Sequence, residues 1–201
     1  MRICVSAPNT LGYPDGGHIW VFINWVLGFR SLGHEISWLD IAPAEDSPER
    51  LRERIKVLQD RLRPFGLDTV LALSTEDGDP LSDEADLPLQ PLEHALSADV
   101  LCDHRYNLAH KTVARFKRSM MIDIDPGQFH VALDLGTYNL APHDAYFTIG
   151  EWPKFTDKQP ALFNTRGWQW HYTPPPVALD QWPVKAVSGH AAFTTVSNWF
   201  M

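Results

Sequence analysis

The sequence predicts a single α/β domain, a parallel sheet with helices packed on both faces. Two observations along the chain predict it. A strand, a glycine-rich loop, a helix and a second strand follow one another between Arg2 and Ile41. Short apolar runs then keep alternating with helical stretches, the pattern of a parallel sheet whose crossovers are helices. Size and composition agree. The chain has 201 residues, 44% hydrophobic and 21% charged, which is enough to bury the core of one large domain without disulfides.

The first strand is Arg2–Ala7, an apolar β-branched run ended by Pro8. Asn9 to Gly17 is a loop rich in turn formers. His18 to Leu32 reads as a helix, because Ile19, Phe22, Ile23, Val26 and Leu27 recur at three- and four-residue steps, and Gly33 is placed to end it. His34–Ile41 is the second strand. Ser47 is placed to cap the next helix, with Pro48 at its first position and Glu49 in its first turn. That helix is charge-rich and ends before Pro64.

Thr69–Leu73 is the third strand, and Ser74 to Leu87 an acidic, turn-rich loop. A short helix is expected over Leu89–Ser97. Further strands are expected at Val100–Asp103, Arg118–Asp125, Ala145–Ile149 and Phe193–Val196, with a helical stretch from Gln128 to Leu135. Glu151 to Pro183 is too long for an ordinary connection and crowds Trp152, Trp168, Trp170, Tyr172 and Trp182 among prolines. Long segments of this kind are commonly functional, and the aromatics argue for order. The chain ends at Asn198-Trp199-Phe200-Met201, where a helix would be expected to start, and reads as cut.

Composition narrows the partners. Acidic residues outnumber Lys and Arg by 25 to 17, so a nucleic-acid backbone is not an expected partner. Cys4 and Cys102 sit in apolar runs and are expected as small core residues, without zinc spacing or a disulfide framework. No segment reads as a transmembrane span or a leader peptide, and a cytoplasmic location is expected.

In an open α/β sheet ligands bind beyond the carboxyl ends of the strands. The residues predicted there are Asn9–His18, Asp40, Asp103-His104-Arg105, Asp123–Gly127, Gly150-Glu151 and Ser197. Gly16 and Gly17 allow close backbone approach at a helix start, and His18 is suited to take a proton from a hydroxyl group, or simply to pack. Asp123 and Asp125 share a strand face and are either substrate-binding carboxylates or a polar turn. Arg105 is able to pair with a phosphate or with Asp103. Trp170 offers a face for stacking on a sugar ring or for packing. Pro142-His143-Asp144 precedes a strand and is read as structural. The loop matches neither the dinucleotide fingerprint nor a P-loop.

Gly16-Gly17-His18, the helix Trp20–Leu32 and Gly33-His34-Glu35-Ile36 together resemble the opening of the GT-B glycosyltransferases, which are built of two Rossmann-like domains. Arg118–Gly127, Asp144–Glu151 and Phe193–Ser197 are similar to later segments of bacterial members. The resemblance implies a Rossmann-like N-terminal, acceptor-side domain. It implies transfer of a hexose from a nucleotide-sugar donor to an acceptor, with a C-terminal donor-binding domain needed for turnover and no metal or other cofactor. His18 resembles the family's base, with Asp125 or Asp103 orienting it. Gly16, Gly17, Asp103, His104, Arg105, Asp123, Glu151 and Trp170 are the expected substrate-binding residues. The same alternation of strands and helices also fits a stand-alone binding module of flavodoxin or response-regulator type.

Overall fold

The computed structural model describes residues 1–82, 86–155 and 165–184. Seven strands form one all-parallel sheet: β1 (Arg2–Ser6), β2 (Glu35–Ile41), β3 (Leu71–Ser74), β4 (Val100–Asp103), β5 (Ser119–Asp123), β6 (Ala145–Thr148) and β7 (Trp170–Tyr172). Their order is β3-β2-β1-β4-β5-β6-β7. The helices are α1 (Gly16–Ser31), α2 (Pro48–Leu62), α3 (Leu92–Leu96), α4 (His110–Val113) and α5 (Pro126–Asp134).

Crossovers between parallel strands are right-handed. The chain runs one way across the sheet from β1 to β3, then jumps back past β1 and runs the other way from β4. Right-handedness therefore puts α1 and α2 on one face and α3, α4 and α5 on the opposite face. The core divides accordingly. Phe22, Val26, Ile55 and Leu58 from the first two helices pack on Val5, Trp38 and Leu73. Leu92, Leu96 and Val113 pack on Cys4, Leu39 and Leu101 across the sheet. Phe129 and Leu133 of α5 pack on Met121, Tyr146 and Trp170 of that second face. This is a Rossmann-like α/β domain. Flavodoxin-type modules carry the order 2-1-3-4-5 instead, so the topology gives that alternative no support.

Local chemistry explains the element ends. The Ser47 hydroxyl accepts the Arg50 N–H at 3.3 Å and Pro48 occupies the first position of α2, as expected. Gly33 takes φ +80° behind α1, where the Gly33 and His34 N–H groups return to the Arg30 and Phe29 carbonyls. Helix α1 starts two residues earlier than expected, at Gly16 with φ +66°, and β5 ends two residues earlier, at Asp123. Both cysteines are buried and unbridged, and burial pushes both thiols up, so they behave as core residues.

The aromatic, proline-rich insertion expected over Glu151 to Pro183 contains a strand that its sequence did not predict, Trp170–Tyr172. Three residues pair in register with β6, Trp170 opposite Tyr146 and Tyr172 opposite Thr148. The strand expected at Phe193–Val196, with Ser197 beyond it, lies outside the described residues. After β7, Thr173 to Val184 returns across α1: the Ala178 N–H donates to Asn24 Oδ1 at 2.8 Å, and the Trp182 ring rests 4.9 Å from that of Trp20.

Candidate functional site

Where strand order reverses, neighbouring loops diverge and leave a crevice at the carboxyl edge. Here the reversal lies between β1 and β4. A cleft of about 910 Å³ occupies that place, walled by the loops after β1, β2, β4 and β5. Its lining includes Asn9, Tyr13, His18, His104, Arg105 and Asp125. Tyr106, the next residue of the Asp103-His104-Arg105-Tyr106 cluster at the end of β4, lines it too. Four further lining residues carry no signal in the sequence: Arg54 projects from the charge-rich helix α2, Asn107 follows Tyr106, Gln128 lies in α5 and Tyr138 follows it.

Asp40 builds the cleft floor. Its carboxylate is fully buried and accepts the backbone N–H groups of Asn9 (3.2 Å), Thr10 (2.7 Å) and Leu11 (3.1 Å), together with the Thr10 hydroxyl (2.8 Å). It also accepts its neighbour's amide, from Ile41, and the Arg105 guanidinium at 2.7 Å. Consecutive N–H groups after the first strand are the usual place for a phosphate to sit. In this chain they are spent on its own carboxylate. Asn9 holds φ +58° to turn the loop inward.

His18 stands above that floor, half-buried, in the first turn of α1. Its Nε2 lies 2.9 Å from the Pro8 carbonyl. A carbonyl only accepts, so Nε2 carries a proton, and in the neutral ring the lone pair is on Nδ1. Phe22 holds the ring edge-on at 5.2 Å and Tyr13 at 6.3 Å. The helix start itself is uncapped: Asp15 makes no side-chain cap and instead pairs with Arg61 at 2.7 Å.

The expected site residues divide into two groups. His18, His104, Arg105 and Asp125 share the cleft; Asp125 is exposed at its rim. His104 is fully buried between Phe22 and Trp25 of α1. Its ring nitrogens make no hydrogen bond, and burial, opposed by the smaller influence of the Ser6 and Cys102 backbone, takes its pKa down to about 3. It is a neutral wall. The Arg105 side chain pairs with Asp40 and not with Asp103, which receives only the Arg105 backbone N–H at 2.9 Å.

The other expected residues do not face the cleft. Asp103 is level with Met121 of β5, two residues short of that strand's end, so its side chain is buried on the second face. There it meets His143 Nε2 at 3.2 Å. His143 Nδ1 lies 2.7 Å from the Ala141 carbonyl, so both ring nitrogens face acceptors. His143, expected as a structural residue before β6, thus reaches a carboxylate at the end of β4. Neither Asp103 nor Asp125 has a hydrogen bond to His18 among those the structure shows; the Pro8 carbonyl orients that ring.

Asp123 does not share a binding face with Asp125. It is fully buried and accepts Tyr106 Oη–H (3.3 Å), the Asp125 N–H (2.9 Å) and the Thr148 hydroxyl (2.9 Å). Glu151 is an exposed partner of Lys154 at 2.9 Å, away from the cleft. Trp170 is 7% exposed and packs in the core, so its faces are closed to a sugar. Gly16 lies outside the cleft wall, and Gly17 borders a separate pocket. Among the described residues no group of three or more His, Cys, Asp or Glu side chains is placed to hold a metal ion, and no helix is long and apolar enough to cross a membrane.

Burial raises the Asp123 carboxyl from 3.8 to about 6. Its charged form is thus less favourable in the folded chain than in the unfolded one. The stability this group contributes is complete below its unfolded value and is lost as pH rises through about 6. Between about pH 4 and pH 7 the native chain is expected to lose roughly 3 kcal/mol from this site. Asp123→Asn removes that loss while keeping a side chain able to bond Tyr106 and Thr148. Urea unfolding of both proteins across that range checks it: from pH 4 to pH 7 the variant gains roughly 3 kcal/mol relative to the native chain, whereas parallel profiles would contradict the assignment.

The fold and crevice define a Rossmann-like α/β protein with a polar cleft at its topological reversal and a tautomer-fixed histidine in that cleft. No protein-family model, curated protein or solved structure matches the chain.

Proposed function

We propose that this chain is the acceptor-side domain of a GT-B type glycosyltransferase, cytoplasmic in location, transferring a hexose from a nucleotide-sugar with His18 as general base. The observation that carries the reading is His18 itself, with Nε2–H tied to the Pro8 carbonyl and a proton-accepting Nδ1, at the wall of the cleft between the β1 and β4 loops. An acceptor hydroxyl in the cleft gives its proton to Nδ1 as its oxygen attacks the anomeric carbon. The new C–O bond forms, the bond from that carbon to the phosphate oxygen breaks, and the negative charge leaves with the nucleoside diphosphate.

The charges of the cleft support the acceptor side. Arg54 is committed to Asp46 and Arg105 to Asp40, each at 2.7 Å, while Glu45, Glu76 and Asp125 stand exposed. Such a surface suits hydroxyl groups and repels a diphosphate, so the donor is held by a second domain, which is a partner in this proposal.

The test is acceptor-dependent release of nucleoside diphosphate from a panel of nucleotide-hexoses, with the chain joined to its donor-binding domain. A glycosylated acceptor from one of them supports the reading. Binding of flavin by the purified chain, with no transfer from any donor, would replace it by the binding-module reading.

A further inference from the structure

Resting on that transferase reading, we infer that the acceptor is an alcohol carried on an apolar ring system, and that the ring is held in a second pocket adjoining the His18 cleft. This pocket encloses about 300 Å³ between Trp20 and Trp25 of α1, Ile124 and Ile149 beyond β5 and β6, and Pro175 and Pro176 of the segment returning across α1. Apart from the indole N–H groups of Trp20 and Trp25, its one polar side chain is Asn24, and both ends of that amide are engaged. Nδ2 donates to the Trp20 carbonyl and Oδ1 accepts the Ala178 N–H, each at 2.8 Å. No charged side chain lines it, so a charge or a sugar's several hydroxyls entering here would forfeit their hydration, and the occupant is largely apolar.

The pocket adjoins the catalytic cleft. Ile124 belongs to both walls, and the adjacent residues Gly17 and His18 border the pocket and the cleft respectively. A molecule lying across Ile124 therefore sets its apolar part against tryptophan and proline and its hydroxyl on the side of His18. Flat walls of this kind favour a ring over a branched chain, and the volume is at the small end of ligand sites, matching one or two fused rings rather than a long acyl chain or a peptide.

The experiment titrates the purified chain into 4-methylumbelliferone, a bicyclic phenol, and follows its fluorescence anisotropy. The expected result is saturable binding, weakened about tenfold or more, roughly 1.4 kcal/mol, by Ile149→Trp and by Val177→Trp, which fill the pocket from two sides. Val177 is exposed, so its variant retains the fold, which far-UV circular dichroism checks. Leu179→Ala, outside the pocket, binds as the native chain does. Absence of saturable binding, equal affinity in both filled variants, or displacement of the probe by methyl glucoside overturns the inference. Hexose transfer to a hydrophilic acceptor without umbelliferone binding would sink this inference and leave the transferase reading standing; binding without transfer would do the reverse.

Discussion

Replacing His18 by alanine is expected to lower kcat for hexose transfer by about two to four orders of magnitude, the usual worth of a positioned general base. The KM for the nucleotide-sugar should barely move, because in the proposed reaction the ring acts on the acceptor hydroxyl and not on the donor. Stability should change little. The ring is half-buried and contributes one hydrogen bond, to Pro8, and edge contacts with Phe22 and Tyr13, so a loss of about 1 kcal/mol is expected. His18→Gln separates holding from proton transfer. A glutamine amide can still donate to the Pro8 carbonyl but offers no basic nitrogen, so it should be as inactive as alanine while unfolding at the native urea concentration. Steady-state kinetics of the two variants beside the native protein measures this. A glutamine variant retaining most of the native kcat would remove His18 from the chemistry.

Asp40→Ala is expected to have the largest effect on stability, about 3–5 kcal/mol, the cost of breaking a buried ion pair by removing one partner. The carboxylate satisfies the N–H groups of Asn9, Thr10 and Leu11 and the Arg105 guanidinium together. Its loss leaves buried donors and a mostly buried cation without an acceptor. Thr10→Val, which removes the hydroxyl bond to Asp40 and the acceptor of the Trp38 indole N–H (3.3 Å) but keeps the backbone bonds, should cost about 2 kcal/mol. Urea unfolding monitored by circular dichroism compares the two. Asp40→Ala should also release the loop after β1, so a variant that still folds in the cold would lose transfer with His18 intact. Equal, small losses for the two substitutions would show that Asp40 does not organise the floor.

Much of the fold is legible in the sequence because its cues are local. The apolar run at Arg2–Ser6, the Ser47–Pro48 helix start and Gly33 behind α1 each state their role within a few residues. What escapes is what depends on partners far along the chain. Trp170–Tyr172 is a strand because β6 lies beside it, and three aromatic residues among prolines and glycine do not announce that. Gly16 opens α1 despite glycine's poor helix propensity, because a positive φ is needed there.

At the site, the segments beyond the strand ends were legible, and so was His18. The fates of the carboxylates were not. Alternation turns Asp103 and Asp123 to the second face, and the stagger between β4 and β5 buries Asp103 beside His143. That stagger is a property of the assembled sheet. Asp40 looks like any strand-end acid until the loop some thirty residues earlier folds around it. Trp170 illustrates the same limit, since sugar stacking and core packing call for the same side chain.

The base assignment at the centre of this account is tested most directly by the imidazole ¹⁵N–¹H NMR spectrum of the histidine-labelled chain, with His18 assigned by its absence in His18→Gln. At about pH 9, where ordinary imidazoles are neutral, His18 is predicted to show the Nε2–H tautomer with an unprotonated Nδ1 whose signal moves when 4-methylumbelliferone is added. An Nδ1–H tautomer at His18 would place the lone pair on the nitrogen that faces Pro8 and contradict the account.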